Sequence, residues 1–392
     1  MARATKERNA AMSDGEVFQI NTEINEQEIA RAREFLNVPL RIQQYNHEAT
    51  RDTIRHYAYG VGDDNPLWCD PAYAAQGPHG VIVAPPTFYY TFFSAGITPC
   101  FDGLQAFFGG GRFKVHRLVR RGEEVVATAR LVDMYEASGK TAAKMVIQVG
   151  NVAYHTRDGE LLCEYESRAI RTPRSKGSGG PTHAPREAYR YSDAEYAAIE
   201  AEVLAQTRRG ADARYWEDVA VGEELPARVK GPMNMATYMS YYAGNLNGAG
   251  YVACEMQWRT RHNAQHHPEL VPNNRGLGWL IEQTWPGVAH TDDKTARAVG
   301  MPGAYDNGWN RLGWMSQVVT DWCGDDGHLD EIDVRVRKPN IMGDTTWCKG
   351  KVTAKRVEDG QHIVDVELTG TNQLGDVNTT GTASVILPSR AA

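Results

Sequence analysis

The chain contains 392 residues, of which 42% are hydrophobic and 23% are charged, and this composition is typical of a globular protein with two domains. The net charge of −7 argues against a general nucleic-acid-binding protein, which needs a basic surface to neutralise phosphates. The six cysteines are scattered and form no Cys-x-x-Cys pair, which argues against a zinc site or a disulfide framework and favours free thiols in a reducing cytoplasm.

The amino-terminal half begins with a polar segment. Residues 1–24 lack the apolar run of a signal peptide and are predicted to form a loose tail. The first domain is predicted at 25–172. It contains an uncharged stretch at 80–101 that a Pro-Pro pair interrupts, so we predict a buried helix over 87–95 rather than a membrane span. Apolar runs of strand length then predict strands at 124–133, 142–153 and 161–170.

A Gly/Ser-rich linker separates the two halves. The linker and a following helix are predicted at 173–213, since Ser192 and Glu195 form a capping-box pattern at the start of a helix that runs to about Arg208. The second domain is predicted at 214–392, with an insert near 248–285. This domain is predicted to contain a buried helix at 309–319 and strands at 347–354, 362–368 and 379–387.

Two sequence patterns recur in both halves at nearly equal spacing. Trp68-Cys69-Asp70 in the first half corresponds to His290-Thr291-Asp292 in the second, and each is followed by an uncharged stretch and a Gly-acid turn. The aspartate and the turn glycine are 52 positions apart in one half and 51 in the other, ending at Gly122 and Gly343. We therefore predict an α+β fold of two tandem repeats, each a long buried helix wrapped by a curved antiparallel sheet, with the two sheets joined edge to edge.

One run in the first half carries a family resemblance. Gly62-Asp63-Asp64-Asn65-Pro66-Leu67-Trp68 resembles the signature of the MaoC-like acyl-CoA dehydratase family, which reads Gly-Asp-x-Asn-Pro-aliphatic-His. Downstream, Ala84-Pro85-Pro86-Thr87-Phe88 resembles the amino-terminal dehydratase-type domain often fused ahead of a MaoC-like half. The resemblance implies a tandem (double) hotdog and a hydro-lyase acting at the 2,3 double bond of an enoyl-CoA or acyl-carrier thioester. It implies no cofactor other than the coenzyme A of the substrate.

In this family a carboxylate and an imidazole act as acid and base on one water, and a backbone N–H at the start of the buried helix stabilises the thioester oxygen. The first half keeps Asp63 but has Trp68 at the histidine position. In the second half, residues 242–247 echo the run with Asn245 at the aspartate position, and His290 supplies the imidazole. We predict Asp63 and His290 as catalytic residues. The predicted substrate-orienting residues are Asn65, Asn245, Asn247 and Asp292.

Each assignment has a structural alternative, in which Asp63 caps a turn, His290 is a loop histidine and Trp68 is a packing replacement. The two half-motifs either share one groove, with polar atoms within about 6 Å across a single water, or lie apart. We favour the separated arrangement, with the better-preserved pocket in the second half. On this basis Asp63→Asn and His290→Ala are each expected to reduce activity at least about 100-fold.

Two groups of basic side chains are candidates for binding, one for the phosphates of CoA and one for a metal ion. Arg112, Lys114 and Arg117 are candidates for binding the CoA phosphates, with a charged edge strand as the alternative. His262 and His266 are four residues apart, but no third ligand is evident from the sequence, so no metal site is predicted.

Two other functions stay open. The split motif is compatible with a non-catalytic acyl-CoA-binding half of a hetero-oligomeric hydratase. Asp306, near the start of the second buried helix, is compatible with a hotdog thioesterase. A homodimer or hetero-oligomer is expected, with no nucleic-acid or membrane partner.

Overall fold

The computed structural model describes residues 23–93, 96–101, 104–138, 144–173, 183–246, 253–270, 273 and 289–391. Nearly all of the predicted amino-terminal tail, most of the Gly/Ser linker and much of the predicted insert lie outside the described residues, as does Asn247. Within those described ranges, no helix is both long and apolar enough to cross a membrane.

The elements are numbered in chain order within the described residues. The helices are α1 (Glu26–Arg33), α2 (Arg51–Gly60), α3 (Pro66–Cys69), α4 (Pro71–Ala74), α5 (Asp193–Leu204), α6 (Met235–Gly244), α7 (Cys254–His266), α8 (Asp293–Ala298) and α9 (Gly308–Cys323), with 3₁₀ helices at Phe88–Thr91, Trp216–Asp218 and Pro268–Leu270. The strands are β1 (Pro39–Leu40), β2 (Gln105–Val115), β3 (Val125–Ala137), β4 (Met145–Thr156), β5 (Leu161–Thr172), β6 (Glu224–Lys230), β7 (His328–Val336), β8 (Thr346–Glu358), β9 (Gln361–Asn372) and β10 (Val377–Ile386). The capping box of Ser192 and Glu195 starts α5 as predicted.

The strands form one continuous sheet in the order β1-β3-β4-β5-β2-β7-β10-β9-β8-β6. The first half contributes β1 to β5 and the second half β6 to β10, and they meet at the antiparallel pair β2–β7, where Gly110 lies opposite Arg335. Arg168 crosses this seam and forms a two-bond ion pair with Asp333, with both bonds at 3.0 Å. The predicted edge-to-edge joining of two antiparallel sheets is therefore confirmed.

The two halves repeat the same local structures at the predicted positions. Asp70 accepts a backbone N–H at the start of α4, and Asp292 does the same at the start of α8. Gly122 and Gly343 both adopt left-handed backbone angles, with φ of 88° and 89°, which a residue without a Cβ adopts at little steric cost. The equal spacing in the sequence thus reflects a structural duplication, and the predicted tandem α+β architecture is confirmed.

The central segment differs between the halves. In the second half α9 is a 16-residue helix whose side chains are buried from Asn310 to Cys323. The described part of the helix predicted over 87–95 in the first half forms only the 3₁₀ helix Phe88–Thr91, so that prediction is corrected. The backbone bonds here span three residues, as from the Tyr90 N–H to the Thr87 carbonyl at 3.2 Å and from the Phe92 N–H to the Tyr89 carbonyl at 3.1 Å, which is the 3₁₀ pattern.

Helices α2 and α6 occupy equivalent places in the two halves and cross where each helix ends in glycine. A Cβ on Gly60 would lie 2.8 Å from the carbonyl oxygen of Ser240, and a Cβ on Gly244 would overlap the carbonyl of His56. The backbones therefore approach more closely than any larger residue permits. This contact fixes the distance between the starts of the two signature loops, which follow these helices directly.

Candidate active site

The first-half signature loop follows α2 and holds Asp63 with only 3% of its surface exposed. One carboxylate oxygen accepts the backbone N–H of Asn65 and the other accepts the indole N–H of Trp68, both at 3.0 Å. Asn65 in turn caps α3 by accepting the backbone N–H of Leu67 at 3.0 Å. Trp68 thus fills the histidine position with a group that donates a hydrogen bond but does not act as an acid or a base near neutral pH.

Asp63 also belongs to a buried cluster of charges at the carboxyl end of α9. Lys230 donates to two carbonyls of the Asp63 loop at 2.9 and 3.0 Å. Asp321 pairs with Arg228 at 2.7 Å and with Arg208 at 3.3 Å. Burial raises the pKa of Asp63 to about 6, and the negative charge of Asp321 adds to the rise. These contacts favour the alternative in which Asp63 is a structural residue.

Because these contacts give Asp63 a structural role, we expect Asp63→Asn to change the pH dependence of stability and not to reduce activity 100-fold, as the motif alone predicts. The pKa of Asp63 is about 6 in the folded protein and 3.8 in free aspartate, so the folded state binds more protons between these values. The wild-type protein therefore loses stability from this group as the pH rises through that window, and the asparagine variant does not.

Urea unfolding of both proteins, at about pH 5 and about pH 7, measures this difference. The variant should gain stability relative to wild type at the higher pH. A difference between the two proteins that is the same at both pH values contradicts the buried, pKa-raised assignment of Asp63.

The second half presents His290 close to the start of α9. Its Nδ1 lies 2.8 Å from the carbonyl oxygen of Tyr305, and because a carbonyl oxygen only accepts, Nδ1 carries the hydrogen and Nε2 keeps its lone pair. The imidazole packs against the rings of Tyr305 and Tyr238, with centroid distances of 4.3 and 5.8 Å. Burial lowers the pKa of His290, which keeps the imidazole neutral and able to accept a proton.

The carboxylates nearest to His290 in the sequence are committed to other partners. Asp292 caps α8, where it accepts the backbone N–H and the hydroxyl of Thr295, both at 2.6 Å. Asp306 forms a buried two-bond ion pair with Arg311, with both bonds at 2.7 Å. Because both oxygens of Asp306 bind Arg311, the structure weakens the thioesterase alternative, which needs this carboxylate to activate a nucleophile.

A chain of three polar side chains, which the sequence analysis did not single out, begins beside His290. Tyr238 and Tyr242 are one turn apart on α6, and the Tyr238 hydroxyl donates to the Tyr242 hydroxyl at 2.8 Å. The side-chain amide of Asn307 donates to the same Tyr242 oxygen at 2.7 Å. Asn307 also caps α9 by accepting the backbone N–H of Trp309 at 3.0 Å. The spacing of the two tyrosines is visible in the sequence, but nothing there places α6 beside His290.

The structure changes the alignment of the two half-motifs. Helices α2 and α6 end at equivalent glycines, and two residues later Gly62 and Leu246 both have a positive φ, of 70° and 49°. This correspondence matches Asp63 with Asn247 rather than with Asn245. Asn245 is the buried residue that directly follows the last residue of α6, so its assignment to the aspartate position is corrected. Asn247 itself lies outside the described residues.

Asp63 and His290 lie at opposite ends of α9. Asp63 belongs to the cluster around Asp321 in the last turn of the helix, whereas His290 binds Tyr305, which precedes the first turn. A helix of 16 residues is roughly 24 Å long. This arrangement argues against a composite dyad and favours the predicted alternative in which each half-motif has its own surroundings.

The three candidate CoA-binding residues are paired with carboxylates. The contacts are Arg112–Glu166 at 3.4 Å, Lys114–Asp330 at 2.6 Å and Arg117–Glu160 at 2.7 Å. Arg112 and Lys114 lie on β2, which is inside the sheet, so the alternative of a charged edge strand is corrected. A role for these residues in binding CoA stays a prediction.

The predicted histidine pair lies on α7. The rings of His262 and His266 have centroids 4.4 Å apart. Among the residues with described structure, no group of three His, Cys, Asp or Glu side chains is placed to hold a metal ion.

Comparisons with known proteins agree with this geometry. The FAS1-like, dehydratase domain region model matches residues 38–165. A UPF0336 protein of Parafrankia sp. is 33% identical over 135 residues, which cover 32% of this chain and 86% of the relative. The 3-oxo-4,17-pregnadiene-20-carboxyl-CoA hydratase beta subunit of Mycobacterium tuberculosis is 34% identical over 97 residues, which cover 25% of this chain and 71% of that protein. A solved MaoC-like dehydratase superposes with a TM-score of 0.62 at 17% identity, covering 90% of this chain and 99% of that one.

Two repeats of an antiparallel sheet around a central segment, joined at one seam, define a double-hotdog protein. The chain belongs to the MaoC-like dehydratase and hydratase family, with a dehydratase-type domain in its amino-terminal half.

Proposed function

We propose that the second half of the chain hydrates an enoyl-CoA thioester, or dehydrates the corresponding 3-hydroxyacyl-CoA, with His290 as the general base. The observation that carries the proposal is the hydrogen bond from Nδ1 of His290 to the Tyr305 carbonyl at 2.8 Å, which leaves Nε2 as an acceptor. A buried, neutral imidazole whose orientation is fixed by a backbone carbonyl has the properties of a general base near neutral pH.

In the hydration direction, Nε2 removes a proton from water as the water oxygen bonds to C3. The electron pair of the 2,3 double bond moves toward the thioester carbonyl, whose oxygen becomes negative. The imidazolium then gives its proton to C2, so that one water is added and the imidazole is regenerated. A single imidazole accounts for both proton transfers, and the carboxylate of the family signature is replaced here by Asn247 without breaking the proton balance.

We assign the stabilisation of the negative charge that develops on the thioester oxygen to the start of α9. The amino-terminal end of an α-helix carries a partial positive charge, and backbone N–H groups there stabilise an oxyanion. His290 binds the carbonyl of Tyr305, which lies three residues before the first residue of α9. The base is therefore hydrogen-bonded to the segment that leads into this helix end.

The comparisons support the class of reaction more than the substrate. The Mycobacterium tuberculosis relative is named as a subunit of a CoA-ester hydratase, which agrees with an acyl-CoA substrate. A second candidate is a non-catalytic acyl-CoA-binding subunit of a hetero-oligomeric hydratase. The replacement of histidine by Trp68 favours that role for the first half, and Trp68 is hydrogen-bonded to Asp63 in a buried position.

The direct test is to mix the purified protein with crotonyl-CoA and longer enoyl-CoA thioesters and to follow the absorbance of the conjugated thioester. Loss of conjugation with the thioester intact supports the proposal. Release of free thiol supports a thioesterase instead. Activity that requires a second protein supports the non-catalytic subunit.

We expect the pH profile of hydration to report the lowered pKa of His290. The base must be unprotonated to act, and burial lowers its pKa from the usual 6.5. The midpoint of the acid limb of kcat/KM should therefore lie below pH 6.5. Initial rates across this range, with circular dichroism to confirm folding, measure the profile. An acid limb centred above pH 6.5 contradicts His290 as the titrating base.

A further inference from the structure

The site around His290 contains a second ordered polar group that the proposed mechanism has not used. The Tyr238 and Tyr242 side chains are 3% and 5% exposed, and their hydroxyls form a chain with the Asn307 amide that leads to the start of α9. Buried hydroxyls joined in this way have fixed orientations, because each partner determines the direction of the next hydrogen.

The direction of the chain follows from its donors. Asn307 donates one hydrogen bond to the Tyr242 oxygen, and Tyr238 donates its hydroxyl hydrogen to the same oxygen. A phenol oxygen has two lone pairs, so Tyr242 receives both bonds and holds the Tyr238 O–H in one direction. The Tyr238 oxygen keeps its lone pairs when it donates its hydrogen, and the Tyr238 ring centroid lies 5.8 Å from that of the imidazole.

We infer that Tyr238 is the positioning residue for the attacking water, and that Tyr242 and Asn307 hold it in place. The inference rests on the proposed hydratase function. The Tyr238 oxygen accepts one hydrogen of the water while Nε2 of His290 accepts the other, which directs the water's lone pair toward C3. Tyr238 keeps its own proton throughout, so the proton balance of the His290 mechanism is unchanged.

This arrangement supplies what the lost carboxylate provides in the family signature. An asparagine stands at the corresponding position of the second half, and an amide does not take up a proton near neutral pH. With the imidazole as the one group that titrates, the remaining requirement is a fixed acceptor for the second hydrogen of the water. The Tyr238 hydroxyl meets that requirement, because its own hydrogen is already directed to Tyr242.

The test compares Tyr238→Phe with Tyr241→Phe on an enoyl-CoA that the wild-type protein hydrates. Both variants remove one buried hydroxyl from α6, but the Cα of Tyr241 lies close to Gly60 of α2, and among the described residues its hydroxyl forms no hydrogen bond. We expect Tyr238→Phe to lower kcat about 10- to 100-fold with little change in KM, and to leave the acid limb of the pH profile in place. Tyr241→Phe should stay within about twofold of wild type.

A third variant, Tyr242→Phe, keeps the Tyr238 hydroxyl but removes the oxygen that fixes it, and we expect a smaller loss of kcat. If Tyr238→Phe does not fold, Tyr242→Phe is the variant that tests the inference. Wild-type turnover in Tyr238→Phe and Tyr242→Phe, or an equal loss in Tyr241→Phe, overturns the inference and leaves the hydratase proposal intact. Failure of the wild-type protein to hydrate any enoyl thioester overturns the hydratase proposal, and this inference with it.

Discussion

Replacing His290 with alanine is expected to lower kcat/KM for hydration at least about 100-fold, the scale of losing a general acid–base group. The reason is that Nε2 is the acceptor that Nδ1 leaves available by donating to Tyr305. The free energy of unfolding should change much less, because the ring contributes one backbone hydrogen bond and aromatic contacts to the fold. Steady-state kinetics and urea unfolding on the same preparation measure both quantities.

A matched control is His262→Ala, which removes an exposed imidazole from α7. This variant should retain wild-type turnover. If His290→Ala also retains it on a confirmed substrate, the general base lies elsewhere, and the non-catalytic interpretation of the second half gains support.

The largest expected effect on stability is that of Arg311→Met. Arg311 is fully buried, binds both oxygens of Asp306, and also donates to the carbonyls of Lys338 and Asn378 at 2.7 Å. Removing it leaves a buried carboxylate without its counter-charge, which costs about 3–5 kcal/mol. Urea or thermal unfolding, with the midpoint and slope fitted separately, measures the loss.

The surface variant Arg335→Met provides the comparison, because the Arg335 side chain is 41% exposed and its ion pair with Asp333 is screened by water. It should cost no more than about 1 kcal/mol. The double variant Asp306→Leu with Arg311→Met should recover part of the loss of the single one, since no isolated charge is then buried. A single variant as stable as Arg335→Met would show that Asp306 finds another partner.

Much of the fold was predictable because each repeat contains turn and helix-capping residues at the same places in the sequence. The Gly-acid turns require left-handed angles at Gly122 and Gly343, and an aspartate caps a short helix at the same place in each half. Such signals act over a few residues and are therefore readable in a sequence. The central segment of the first half was not predictable in this way, because it is fully buried and its contacts are with distant parts of the chain, such as Tyr154, whose hydroxyl donates to the Phe93 carbonyl.

The site was predicted less completely than the fold. His290 was identified from its place in the repeat, and its tautomer follows from a contact with Tyr305 that only the folded chain makes. Asp63 matched a motif by residue type, but the indole that binds it and the charges around Asp321 come from tertiary packing. Tyr238 belongs to a helix that approaches His290 from elsewhere in the chain, so its proximity depends on how α6 docks.

The close crossing of α2 and α6, together with the β2–β7 seam, has a genetic consequence. When two identical hotdog chains form a symmetric dimer, every mutation is inherited by both pockets at once. Here the two copies are encoded in tandem, so a mutation reaches one pocket and spares its twin. Trp68 and His290 stand at equivalent positions and have diverged in this way. The first half has an indole that binds Asp63 beside a buried charge cluster, and the second half has kept an imidazole.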